Sequence, residues 1–145
     1  MLETILKNEN FIHTMQKHCY EITTNLLEEK IEFSIVANTN FIDFDPELPK
    51  ELDIKQNPYA LFALGGYTFE SIQLNKDYIQ FHAGFGNDDF DSFVKVDLGA
   101  ITQIQIENSI LFVNFSLYKR EDSKNLQKSK NIFLKNPKNK DIFKK

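Results

Sequence analysis

The 145-residue sequence has one cysteine, no tryptophan and no long apolar run. The single cysteine, Cys19, excludes an internal disulfide framework and fits a reducing compartment. The apolar stretches break within about ten residues, whereas a membrane span needs about 20. The N-terminus carries Glu3 and lacks the apolar core of a secretory signal. We therefore expect a cytoplasmic protein without a membrane span.

Charge is distributed unevenly along the chain, although the net charge is only −4. Residues 119–145 hold ten Lys and Arg and three Asp and Glu, a net of +7, so residues 1–118 carry −11. An acidic body does not attract a phosphate backbone, so only the basic end is suited to nucleic acid. We expect one folded domain over residues 1–118 and a flexible basic tail over residues 119–145, because Lys and Asn dominate there.

Residues 10–29 are predicted to form one helix, with Asn8 or Asn10 as its N-cap. Apolar residues spaced three and four apart form one stripe along it. That stripe has two interpretations: it covers one side of a sheet, or it forms the seam of a dimer. The stripe residues are Phe11, Met15, Cys19, Ile22 and Leu26.

After residue 30 the pattern changes to short strands separated by turns. Residues 31–35, 41–44 and 110–118 are expected to be strands. Residues 59–64 form a nearly continuous apolar run, which predicts a strand buried on both faces. Residues 67–74 are predicted to be a strand with a bulge or bend, because Phe69 and Ile72 break strict alternation.

The clearest strand covers residues 78–86 and follows a polar turn at residues 75–77. Alternation places one apolar set inward, namely Ile79, Phe81, Ala83 and Phe85. A second sheet segment follows at residues 94–104. The predicted fold is mainly β with one N-terminal helix, as a small antiparallel barrel or sandwich with the helix packed against it.

No combination of residues indicates a catalytic or metal centre. His18 and Cys19 are adjacent on the predicted helix, where neighbouring side chains diverge, so a Cys-His dyad is not expected. Residues 87–91 resemble the start of a calcium loop but lack its later glycine and glutamate. We expect no enzyme activity, no metal and no cofactor.

The outward face of the 78–86 strand is the best candidate binding surface. It carries Gln80, His82 and Gly84, and a glycine within a strand often marks close backbone approach. An extended peptide bound there would be held by main-chain hydrogen bonds. The alternative is a solvated face, which is usual for an antiparallel sheet.

Residues 72–108 also resemble the SspB (stringent starvation protein B) family of adaptors for the ClpXP protease. The resemblance rests on two runs, one of them Leu74, Asn75, Ile79, Phe81, Ala83, Phe85 and Gly86, and the other Val94, Val96, Leu98, Ala100, Ile101 and Ile104. It implies a groove that binds a degradation-tag peptide of the ssrA kind. The residues implied are Leu64, Thr68, Phe69, Gln80, His82, Ala83, Gly84, Phe85 and Gly86. Gly84 replaces the family's arginine, and Asn87 replaces its second glycine, so the identity of the tag stays open.

The resemblance further implies a homodimer paired through the helix, and a tail that docks on the ClpX unfoldase. The terminal residues Ile142, Phe143, Lys144 and Lys145 are similar in type to the family's docking motif, although Asp141 stands where the family has arginine. The partners expected are tagged substrate peptides, ClpX and a second copy of the chain, without membrane or nucleic acid.

Two other functions fit the same sequence. One is a small RNA-binding barrel whose basic tail contacts phosphates. The other is a small hydrolase or ligand-binding barrel, which would need a polar pocket with perturbed titratable groups.

Overall fold

The structure is a computed structural model and describes residues 1–120. Two helices open the chain, α1 (Leu2–Lys7) and α2 (Glu9–Glu28), and a third, α3 (Tyr67–Glu70), lies between strands. The described strands are β1 (Phe33–Asn38), β2 (Ile42–Asp45), β3 (Tyr59–Leu64), β4 (Gln73–Leu74), β5 (Tyr78–Phe85), β6 (Phe90–Asp97), β7 (Ile101–Ile106) and β8 (Ser109–Val113).

The strands of residues 1–120 form two four-stranded antiparallel sheets. The first sheet has the order β3-β1-β7-β8, and the second has the order β2-β6-β5-β4. Inward residues of both sheets contribute to one hydrophobic core, which α2 completes. The prediction of a mainly β fold with an N-terminal helix is confirmed.

Helix α2 agrees with the predicted helix over residues 10–29. Asn8 is its N-cap, because the Asn8 side chain accepts a hydrogen bond of 3.0 Å from the Phe11 N–H. Cys19 and Leu26 are buried on the side that faces the core. Helix α1, which precedes Asn8, was not predicted, because its six residues are too few to show a helical period.

The predicted alternation of β5 is confirmed by its burial. Ile79 and Phe81 are fully buried, as are Val94 and Val96 on the neighbouring strand β6. The turn before β5 is built by Asn75, whose side chain accepts hydrogen bonds from the N–H groups of residues 77 and 78 at 2.8 and 2.9 Å.

Three strand predictions were wrong in detail. Strand β3 is not buried on both faces: it is the edge of the first sheet, and Leu61 is 59% exposed. Residues 67–70 form the helix α3 instead of a strand, so the spacing between Phe69 and Ile72 is helical and not a bulge. Strand β8 ends at Val113 and not at Tyr118, although the Asn114 N–H still donates to the Thr102 carbonyl of β7 at 2.8 Å.

Residues 114–120 form a C-terminal segment that lies along the folded body. The buried Asn114 side chain donates to the carbonyls of Gly99 and Ile101 at 3.2 and 3.3 Å. The Leu117 N–H donates to the Leu6 carbonyl at 2.7 Å. These bonds join the segment both to the sheet region and to α1. Within the described residues, no helix is long and apolar enough to cross a membrane.

Candidate functional site

An aromatic cluster lies on the outward face of the second sheet and consists of Tyr67, His82 and Phe93. The Nδ1 atom of His82 lies 2.9 Å from the phenolic oxygen of Tyr67, within hydrogen-bonding distance. The rings of His82 and Phe93 lie 4.7 Å apart between centroids. Tyr67 is 68% exposed and Phe93 is 50% exposed, so the cluster presents apolar surface to its surroundings.

Local sequence explains how each ring reaches this face. Phe93 lies between the buried residues Ser92 and Val94 on β6, so alternation turns it outward, opposite His82 in the register. Tyr67 opens α3 directly after Gly66, whose φ of +56° is favoured by glycine. The Gly66 N–H donates to the Glu32 carboxylate at 2.7 Å, which fixes the start of this helix.

Strand β5 has a partly free edge beside this cluster. The short strand β4 pairs only with Gln80 and Ile79, through the register Gln73↔Gln80 and Leu74↔Ile79. Beyond them, the His82 N–H donates to the side-chain oxygen of Ser71 at 2.9 Å. Hydrogen-bonding direction alternates along a strand, so the N–H and C=O of Gly84 point to the same edge as those of His82. Gly84 itself is exposed.

The electrostatics of this face are mainly acidic. Asp43, Asp45 and Asp91 are exposed and share the outward side of the second sheet with Phe93. The Lys95 amine lies on the same side, 4.2 Å from the centroid of the Tyr78 ring. Such a surface disfavours a phosphate backbone and favours a ligand with apolar and basic groups. Among residues 1–120, no three His, Cys, Asp or Glu side chains are placed to hold a metal ion.

The predicted peptide-binding residues divide mainly between the outward face of the second sheet and the hydrophobic core. Gln80, His82 and Gly84 share its outward face, as predicted. Gly86 is exposed at the turn after β5, and Thr68 is half-buried in α3. The remaining four contribute to the hydrophobic core or pack against it, and the structure does not bring them to the outward face: Leu64, Phe69, Ala83 and Phe85.

The outward face is also less polar than its three predicted residues, Gln80, His82 and Gly84, indicated. The prediction missed Tyr67 and Phe93, which flank His82, and Ser71, which bonds its backbone. Phe93 could have been found, because it alternates with Val94 and Val96. Tyr67 and Ser71 could not, since they reach the site only through α3, a helix of four residues.

The predicted dimer stripe packs largely within the chain. Cys19 and Leu26 are core residues, while Met15 and Ile22 are partly buried against the core. Phe11 is half-buried near the start of α2. Covering the chain's own sheets accounts for this stripe, and pairing through α2 stays a prediction. The predicted docking residues of the tail, Ile142, Phe143, Lys144 and Lys145, lie outside the described residues.

Cys19 is a packing residue within the described fold. Burial raises the pKa of its thiol to about 12, so the thiol stays protonated near neutral pH. Its neighbour His18 points elsewhere and makes an edge contact with Phe112, at 5.5 Å between ring centroids. The two side chains therefore diverge on α2, as the sequence predicted.

A separate cleft of about 720 Å³ lies on the outer side of α2, beside the turn before β5. The Gln16 side chain lines this cleft and donates a hydrogen bond to the Lys76 carbonyl at 2.9 Å. None of the residues predicted from the sequence to bind a peptide lines this cleft, whose walls include His13, Lys17, Tyr20, Glu21 and Asp77.

Comparison with known proteins gives no assignment: no protein-family model matches the chain, and no curated protein matches it.

Proposed function

We propose that this protein is a non-enzymatic adaptor that binds the tag peptide of a substrate and delivers the substrate to ClpXP. The tag binds in extended form along the free edge of β5, with its side chains against the aromatic cluster. An SspB-like arrangement of the two sheets, as the resemblance implies, is part of this proposal, and so is a homodimer.

One observation carries the proposal: a strand edge that is only partly paired, by β4 up to Gln80 and by Ser71 at His82, lies beside exposed aromatic rings. The pairing of β4 with β5 stops at Gln80, while the exposed rings of Tyr67 on α3 and Phe93 on β6 lie beside His82, further along β5. Main-chain bonds to the edge at Gly84 would hold any extended peptide, and the rings would select its side chains. A β-carbon at Gly84, which projects from the outward face, meets Asp89 at 3.5 Å, an ordinary van der Waals contact.

The basic tail supplies the second contact in this proposal. In this proposal residues 121–145 act as a flexible tether, for which the root-mean-square reach would be about 28 Å. Two weak contacts on one molecule, one to the tag and one to ClpX, raise the effective concentration of substrate at the protease. The acidic outward face gives little support to the alternative of RNA binding, because the carboxylates of Asp45 and Asp91 beside Phe93 repel phosphate.

The test is a titration of fluorescently labelled peptides that end in the host's own degradation tag against the purified full-length protein. We expect saturable binding. Phe93→Ser should lower the affinity at least tenfold, because it removes the exposed ring that the bound peptide would cover. Leu61→Ser is the matched control, because Leu61 is similarly exposed but lies on the first sheet. Gly84→Trp should also block the edge.

Two results would contradict the proposal. The first is equal loss of affinity for Phe93→Ser and Leu61→Ser, which would place the peptide elsewhere. The second is binding of single-stranded RNA instead of peptide, abolished by deletion of residues 121–145, which would favour the RNA-binding alternative.

A further inference from the structure

The described chain ends on the same outward face that carries the aromatic cluster. Arg120 donates to both carboxylate oxygens of Asp97, at 2.9 and 3.1 Å, and to Asp43 at 3.1 Å. Asp97 and Asp43 lie on β6 and β2, on the side of the second sheet that also presents Phe93. Residue 121 and all that follow therefore start from this face.

The remaining chain complements this surface in charge. Residues 121–145 contain eight Lys and three Asp and Glu, a net of +5, whereas residues 1–120 carry −9. Asp45 lies opposite Phe93 in the register, and Asp91 is the next outward residue along β6. Arg120 pairs with Asp97 and Asp43. The carboxylates of Asp45 and Asp91, which it does not contact, lie beside the exposed ring of Phe93.

The remaining chain also contains an apolar segment with matching charges. Ile132, Phe133 and Leu134 form one run, with Lys130 before it and Lys135 after it. An apolar run flanked by two cations fits an aromatic surface flanked by two anions, since burial and charge pairing then act together.

The distance is compatible with the length of chain. Asp97 and Phe93 are four residues apart on one strand, which corresponds to about 13 Å. Ile132 is twelve residues beyond Arg120, and a flexible chain of that length has a root-mean-square span of about 20 Å. A linker whose span matches the separation gives the highest effective concentration of a tethered segment.

We infer that the segment around Ile132–Leu134 docks on the aromatic cluster of its own chain. The other exposed apolar surface, the outward side of the first sheet with Leu61 and Leu111, is less suited to this segment. The outward strand positions around Leu61 are uncharged, as in Ser34, Val36 and Gln103, and the surface lies across the core from the anchor at Arg120.

The docked segment and a tag peptide would compete for Phe93. This consequence rests on the proposed function, whereas the docking itself does not. The peptide then binds only the undocked fraction of molecules, so its apparent affinity is reduced by that fraction. Disruption of the segment by Phe133→Asp should raise the affinity for a tag peptide by roughly threefold, if one third of the molecules are undocked.

The experiment uses the full chain with one spin label. Because Cys19 is fully buried, a cysteine introduced by Asn131→Cys can be labelled selectively with a nitroxide. We expect the nitroxide to broaden the NMR signals of residues 82 and 93, while the signals of Leu61 and Leu111 stay sharp. Phe133→Asp and Phe93→Ser should each remove the broadening, and Leu61→Ser should not.

Two controls make each outcome decisive. The first control mixes spin-labelled protein without ¹⁵N with ¹⁵N protein that carries no spin label. Broadening should then disappear, and its persistence would show docking between two copies instead. Sharp signals throughout, or broadening confined to the first sheet, would overturn the inference. No peptide is present in this measurement, so its failure is distinct from a failure of peptide binding. If the segment docks but a tag peptide does not compete with it, the docking inference stands and the proposed peptide site fails.

Discussion

The ring of Tyr118 lies so close to Gly99 that a β-carbon at residue 99 would overlap it. Gly99 belongs to the buried turn between β6 and β7, and Tyr118 belongs to the C-terminal segment. The Tyr118 hydroxyl also donates to Asp97 at 2.8 Å. The absence of a side chain at one position therefore allows the C-terminal segment to lie against the body.

Gly99→Ala should displace this segment. The added methyl group cannot be accommodated without a shift of the Tyr118 ring, and overpacking of this kind typically costs about 1–3 kcal/mol. Gly84→Ala is the control, because its β-carbon makes only an ordinary contact with Asp89 at 3.5 Å. Urea unfolding of both variants measures the cost, and equal unfolding midpoints would contradict the packing of Tyr118 on Gly99.

The ion pairs of Arg120 should differ in strength. Asp97 has a side chain only 11% exposed, whereas that of Asp43 is 54% exposed and better screened by water. We expect Asp97→Asn to lower the free energy of unfolding by about 1–3 kcal/mol, and Asp43→Asn by less than about 0.5 kcal/mol. Double-mutant cycles with Arg120→Ala isolate each pair, and a coupling larger for Asp43 would contradict this order.

Stability should fall at alkaline pH because of Cys19. Burial raises the pKa of its thiol from 9.0 to about 12, so above pH 9 the thiol ionises in the unfolded chain but not in the folded one. The unfolded state then binds fewer protons, and the free energy of unfolding drops by up to about 1.4 kcal/mol per pH unit. This contribution is complete below pH 9 and is lost as the pH approaches 12.

Urea unfolding between pH 8 and pH 10 measures this slope under reducing conditions. Cys19→Ala should give a shallower slope, although it costs about 1 kcal/mol in lost packing at neutral pH. Burial also raises the pKa of Tyr118, so a second decline should begin as the pH rises through the ordinary tyrosine pKa of 10.0, where only the unfolded chain ionises, and its measurement needs a range extended above pH 10. Tyr118→Phe removes that second decline alone. Parallel slopes for the parent and Cys19→Ala would show that the thiol is not the source.

Periodic segments of this chain could be read directly from the sequence. The apolar spacing of α2 and the alternation of β5 both reflect burial on one side, and Cys19 and Phe81 are buried as predicted. Asn75 was identified as a turn residue because its side chain can bond nearby N–H groups. The helix stripe, the strand alternation and the turn each depend on residues close together in sequence, so a sequence pattern predicts them.

Features that depend on position within a sheet could not be read in this way. The apolar run in β3 suggested burial on both faces, but β3 is an edge strand and leaves Leu61 exposed. Likewise, the pairing of Tyr67 with His82 depends on a helix too short to show a period. Arg120 was assigned to the tail by charge, and its pairing with Asp97 spans 23 residues of sequence.

A dimer through α2 can be tested apart from the stability of the core. Ile22→Asp should unfold the chain readily, because it places a charge against the core at a cost of about 2 kcal/mol or more. Phe11 is half-buried and lies outside the core cluster of the described residues, so Phe11→Asp should cost less stability than Ile22→Asp. If the helix forms the seam, Phe11→Asp converts a dimer into a folded monomer in sedimentation. A parent protein that sediments as a monomer at high concentration would contradict the dimer.

Removal of residues 139–145 should separate delivery from peptide binding. The truncation takes away Ile142 and Phe143 but leaves the folded body and Ile132–Leu134 in place. We expect unchanged affinity for a tag peptide, and loss of accelerated degradation by ClpXP at low substrate concentration. At saturating substrate the difference should shrink, because tethering acts by raising local concentration.

Degradation rates across a series of substrate concentrations, with full-length and truncated protein, decide between tethering and its alternatives. Ile142→Ser with Phe143→Ser is the matched variant, since it keeps the length and the charge of the tail and alters only its apolar pair. If the apolar pair contacts ClpX, this variant should behave like the truncation. If only basic charge matters, it should behave like the full-length protein, because all eight lysines beyond residue 120 remain. Equal stimulation by all three forms at low substrate would refute the tether.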